Sequence, residues 1–162
     1  MKTKKLTTLA LMTAVAMVLS FVESQIPAFV AIPGVKMGLA NIAVVFALYK
    51  MGWKEAVLIS LVRVLMISML FGSVASLMYS LAGAVLSLLG MGLLKKTDKF
   101  SEVAVSVCGG VLHNIGQIIM ASIILETAAL RYYLPILMLS GIAAGVVIGI
   151  VAGIMVKRIK LK

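Results

Sequence analysis

Apolar residues run in blocks longer than a surface helix of a soluble protein needs, and polar residues gather between the blocks. The first block covers residues 6–22, behind a basic leader at 1–5. No small-residue cleavage site follows it, so it is expected to stay in place as a helix. The second is short and carries Asn41; it starts near Pro33 or Val35, ends near Tyr49, and breaks at Met51-Gly52-Trp53, where Trp53 suits an interfacial anchor. The third spans about 56–71 and closes at the tight Phe71-Gly72-Ser73 turn. A fourth follows up to the charged segment 95–99, a fifth covers about 103–125, and a sixth about 134–156 after the Tyr132-Tyr133 pair. Blocks of roughly 20 apolar residues match the hydrocarbon core of a bilayer. The pattern therefore predicts an all-α integral membrane bundle of six transmembrane helices, a single domain over 1–162.

Finer patterns inside the blocks predict how the helices pack. Ala10 and Ala14 form a small-xxx-small pair beside Thr7 and Thr13, suited to close approach by another helix. Ser73, Ser76, Ser80, Gly83, Ser87 and Gly90 recur at steps of three and four, which reads as a packing face with Tyr79 beside it. Glycines at 141, 145, 149 and 153 make an every-fourth-residue ridge that favours close, right-handed crossing. Between the first two spans, residues 23–36 hold Pro27, Pro33 and Gly34 around an apolar Ala28-Phe29-Val30-Ala31-Ile32. This loop reads as a lid or an interfacial segment.

Polar residues inside the blocks are few, and each one is costly. Arg63 stands near the middle of the third, where an arginine costs about 2.5–3.5 kcal/mol on insertion scales unless it turns inward, snorkels or finds a partner. The fifth contains Gly109-Gly110-Val111-Leu112-His113-Asn114-Ile115-Gly116-Gln117, with the chain's one histidine. On a helix Gln117 lies about 40° and Asn114 about 100° from His113, so the three share a face. Two readings fit: an interhelical hydrogen-bond cluster, or a ligand or ion site. Intramembrane polar clusters favour the second.

Composition agrees: 63% of residues are hydrophobic and 12% charged, which excludes an ordinary soluble domain. The net charge of +10 does not point to nucleic acid, because the basic residues sit at span ends and not on a face interleaved with aromatics. The segments 1–5, 50–54, 95–99 and 157–162 carry twelve of the lysines and arginines, against Lys36 and Arg131 on the opposite side. Positive-inside places both termini in the cytoplasm, in a multi-pass plasma-membrane protein, with the 23–36 loop and the turn at 126–131 facing outward. Lone Cys108 rules out an internal disulfide. No metal-ligand spacing, nucleophile motif or phosphate-cradling loop occurs, so no catalytic residue, metal or cofactor is expected.

A six-helix chain of this size, with the Ala10/Ala14 pair, the outward first loop and the string Pro33-Gly34-Val35-Lys36-Met37-Gly38-Leu39-Ala40-Asn41-Ile42, resembles the substrate-binding S components of energy-coupling factor transporters. With Gly110-Val111-Leu112-His113-Asn114-Ile115-Gly116-Gln117 it looks more narrowly like the Gx transporter group, also labelled heptaprenyl diphosphate synthase component I. The resemblance implies capture of a small substrate from outside, beneath the first loop, with flavins and isoprenoid or quinone precursors as classes to consider. It also implies docking through Ala10 and Ala14 onto a scaffold membrane subunit that works with two ATPases.

Residue chemistry separates the competing functions. Glu23, Gln25, Lys36, Asn41, Arg63, Tyr79, His113, Asn114 and Gln117 are the candidate substrate-binding residues, mostly donors and cations suited to a polar or anionic ligand. An enzyme of prenyl transfer would need aspartate-rich motifs for magnesium-bound diphosphate, and Asp98 is the one aspartate, so the alternative is a membrane accessory subunit of isoprenoid synthesis. An ion or proton carrier built on Arg63 and His113 would want an intramembrane carboxylate, and the nearest, Glu23, stands at a span end.

Overall fold

The computed structural model describes residues 2–25 and 38–159. Lys36, the prolines and the lid-like segment between the first two spans lie outside these, as do the last three residues of the tail. The described residues form six α-helices: α1 (Lys2–Gln25), α2 (Asn41–Lys50), α3 (Trp53–Phe71), α4 (Val74–Lys96), α5 (Glu102–Ile124) and α6 (Leu134–Arg158). A 3-10 turn, Ala128–Tyr133, leads into α6. Four segments are long and apolar enough to cross a membrane: Thr3–Gln25, Val74–Lys96, Glu102–Ile124 and Ala128–Arg158. The expected all-helical membrane bundle is what the chain forms.

Helix ends fall where the sequence supplies caps. The Ser73 hydroxyl accepts from the Ser76 amide at 3.2 Å and starts α4, and Ser101 does the same for α5 through Ala104 at 3.2 Å. Gly52 adopts φ 125°, open to glycine, and so separates α2 from α3 by a two-residue break. Lysines close α4 (Lys95, Lys96), and Lys157 and Arg158 close α6, where the helix dipole favours cations.

α2 differs from the expectation for the second span. It has ten residues, about 15 Å of helix, which is half a hydrocarbon core. Residues Ala43 to Leu48 are all buried, so α2 is apolar all round because the other helices enclose it. It contacts α1, α3 and α6, and Phe46 and Leu48 are its largest fully enclosed side chains. The Lys95 ammonium at the end of α4 donates to the Leu48 carbonyl and lies 5.3 Å from the Tyr49 ring centre, so one side chain closes α2 at its lysine-rich end.

The tightest packing joins α4, α5 and α6, and glycine makes it possible. A methyl added at Gly110 would fall 2.5 Å from the Gly141 carbonyl oxygen, and one at Gly145 would fall 2.6 Å from the Val107 Cα. The α6 ridge thus packs backbone to backbone on α5 at 141, 145 and 149, and ends at Gly153, whose nearest neighbour is Glu102 Cβ at 3.8 Å. α1 packs on α3 and α2 through Met12 and Ala16. Ala10 and Ala14, about 200° round the helix from those two, are exposed.

Candidate functional site

The site starts from the buried stripe of α3. Ala56, Ile59, Ser60, Arg63, Val64 and Ser68 follow one another at helical steps, so burying the apolar members carries Arg63 inward with them. Arg63 is 9% exposed, and its Nε has no hydrogen-bond partner among the described residues. The ion pair found among those residues joins Lys5 to Glu55, at the other end of α3. A desolvated guanidinium without a carboxylate in contact is expensive, and what it faces becomes the question.

Arg63 lines two cavities that share Glu23, Arg63 and His113 as a common wall. The larger, about 120 Å³, lies among the ends of α1 and α3 and the start of α4. Hydroxyls dominate it: Ser20 and Ser24 from α1, Ser68 from α3, Ser76 and Ser80 from α4, with Gln117 of α5. The Phe21 and Phe71 rings, 5.2 Å apart, join α1 to α3 beside it. The smaller, about 50 Å³, reaches inward to Asn41, Ser106 and Asn114, past Gly109, Gly110, Gly141 and Gly145. That volume exceeds the roughly 10–15 Å³ a water requires and would take the end of a small ligand.

Each polar residue of α5 has a distinct setting. Asn114 is buried, and its Nδ2 donates to the Leu137 carbonyl at 2.5 Å, tying α5 to the first turns of α6. His113 is seated in a notch of α4: a methyl at Gly83 would lie 2.9 Å from its Cε1 and Nδ1. Gln117, one turn on, faces the larger cavity. Glu23 accepts a hydrogen bond from the Gly38 amide at 2.5 Å, so the last turns of α1 hold the approach to α2.

Of the residues singled out from sequence, Glu23, Asn41, Arg63, His113, Asn114 and Gln117 surround these two cavities. Gln25 and Tyr79 do not. Gln25 is exposed, about 200° round α1 from Glu23, and its amide donates to the Ser24 hydroxyl at 3.3 Å. Tyr79 is half-buried on α4, about 60° away from Ser76, and so misses the cavity that Ser76 and Ser80 line. Lys36 lies outside the described residues. The serines are the residues that sequence reasoning misses. The α4 stripe is divided: Gly83 and Gly90 meet α5, Ser87 is buried beside Gly109, and Ser76 and Ser80 turn to the cavity. The signal was the chemistry of the stripe, which is hydroxyl at its start and glycine towards its end.

Together these groups offer one buried cation, several hydroxyls that donate or accept, three side-chain amides, an imidazole and a carboxylate that is already hydrogen-bonded. That set can hold a small anionic or polar ligand. Among the described residues, no group of three or more His, Cys, Asp and Glu could hold a metal ion. A family model described as heptaprenyl diphosphate synthase component I matches residues 12–155. No curated protein and no solved structure matches the chain.

Proposed function

The chain belongs to the heptaprenyl diphosphate synthase component I family, and from that membership and the Arg63 cavities we propose that it is a substrate-binding membrane subunit of an energy-coupling-factor type transporter. Its substrate is a small polar or anionic molecule, vitamin-like in size, taken from the face opposite the lysine-rich ends; flavin and isoprenoid or quinone precursors belong to the classes considered. It carries out no chemistry itself. A scaffold membrane subunit with its ATPases docks on the exposed Ala10/Ala14 face of α1 and drives release.

One observation carries this reading: a buried guanidinium with an unpartnered Nε, facing a cavity lined by hydroxyls. A purely structural arginine would satisfy carbonyls or a carboxylate, whereas a binding arginine keeps donors for its ligand. Substitution separates the two. In Arg63→Gln, affinity for the ligand identified by native mass spectrometry of the purified protein is expected to fall about 10- to 100-fold, since a hydrogen bond to a charged group is worth about 1.5–3 kcal/mol. The ligand-free variant is expected to be at least as thermally stable as the parent, because a buried charge with no carboxylate in contact has been removed. Lost stability with unchanged affinity would overturn the assignment.

The family description itself favours a second reading, a membrane accessory subunit of prenyl diphosphate synthesis. In that case the protein would copurify with a soluble prenyl synthase and not with a scaffold and ATPases.

A further inference from the structure

At the other end of α3 and α4 from the Arg63 cavities, a groove of about 510 Å³ opens on the outside of the bundle. That volume is in the range of roughly 300–1,000 Å³ typical of ligand clefts. Leu89 and Leu93, one turn apart on α4 and both exposed, form one wall, and the Trp53 indole forms another. Gly92 sets the shape. A methyl there would lie 2.2 Å from Trp53 Cζ3, so the absent side chain lets the indole lie against α4.

The rim is basic. Lys95 and Lys96 border the groove, and Lys54 and Lys99 adjoin its lining residues in the chain. Lys95 is held in position by its bond to the Leu48 carbonyl, and an ammonium has two further donors to offer. Asp98 is the carboxylate on the rim, while Glu55, the nearest other one in sequence to Trp53, is engaged by Lys5.

We propose that this groove holds an anionic phospholipid, one acyl chain lying along Leu89, Leu93 and Trp53 and the headgroup phosphate resting on Lys95 and Lys96. An apolar trough leading to the anchored Lys95 ammonium, with exposed Lys96 beside it, matches both halves of such a lipid. A zwitterionic lipid brings no net charge to balance the lysines, and basic pockets beside transmembrane helices bind anionic headgroups. The site is separate from the Arg63 cavities and does not depend on what they bind.

Trp53 is the only tryptophan in the chain, so its fluorescence reports occupancy directly. The purified protein is reconstituted into phosphatidylcholine vesicles in which an equal share of lipid is replaced by acyl-brominated phosphatidylglycerol or by brominated phosphatidylcholine. Brominated phosphatidylglycerol is expected to quench Trp53 with an apparent preference on the order of fivefold for each lysine engaged. Lys96→Glu, which leaves the Lys95 bond to α2 intact, is expected to bring that preference close to one with the Trp53 emission maximum unchanged. Equal quenching by the two lipids in the parent protein overturns the proposal. So does an undiminished preference in both Lys96→Glu and Lys95→Gln, and so does quenching by neither lipid, which would give the groove to a protein partner.

Discussion

Gly83 shows how much one missing methyl can decide. The His113 carbonyl oxygen and imidazole stand 2.8 and 2.9 Å from where its Cβ would be, and His113 in turn lines both cavities. Gly83→Ala must therefore move the backbone of α4 or α5, at a cost of about 1–3 kcal/mol. Gly153→Ala meets nothing closer than 3.8 Å and gains helix propensity, so it should stabilise by up to about 1 kcal/mol. Thermal unfolding of the two variants in detergent checks the pair: the melting temperature drops for the first and holds or rises for the second. Arg63 and His113 were legible in the sequence, since an ionisable residue in an apolar run is conspicuous. Ser20, Ser24 and Ser68 were not, because a serine in a membrane helix can as readily bond its own helix or a neighbour, and only the third dimension decides which.

At the scale of elements, the long helices could be read from run length, and the breaks around α3 from Gly52 and Ser73. That the second span is short could also be read, but not that α2 starts only at Asn41 and is enclosed. An unbroken apolar stretch reads alike whether lipid or protein surrounds it, and α2 is surrounded by protein. The α4 stripe reads as a single packing face yet is divided in the fold, for a related reason, since spacing places residues on a face without saying whether that face meets a helix or a void. α1 presents a simpler division, with Met12 and Ala16 turned inward and Ala10 and Ala14 outward. A bulky residue on the outward side is expected to leave the bundle intact and obstruct close approach by another helix. Ala14→Trp should abolish copurification with a scaffold subunit while ligand binding persists. Retained copurification would mean that the alanines face lipid alone.

For the whole molecule, the distribution of charge predicts an orientation with both termini in the cytoplasm. Exposed Lys96 belongs to the basic set and exposed Arg131 to the sparse opposite side. In a Cys108→Ser background, a membrane-impermeant thiol reagent added to intact cells should modify Arg131→Cys and spare Lys96→Cys. The reverse pattern would put the Arg63 cavities on the cytoplasmic side. The hydrogen bond from the Gly38 amide to Glu23 adds a mechanical consequence to this arrangement. α1, one continuous helix from Lys2 to Gln25, can act as a lever: about 14 Å separates Ala14 from Glu23 along its axis, so a rigid tilt of about 10° at the alanines would swing the carboxylate by roughly 2 Å. That throw is enough to part Glu23 from Gly38 and disturb the wall common to both cavities. In the proposed assembly, a neighbour docked at the alanines would couple to ligand binding through this contact, and the coupling free energy would be the same in both directions. The factor by which a scaffold subunit alters ligand affinity should equal the factor by which ligand alters scaffold affinity, and two factors of one would mean that the lever is disengaged.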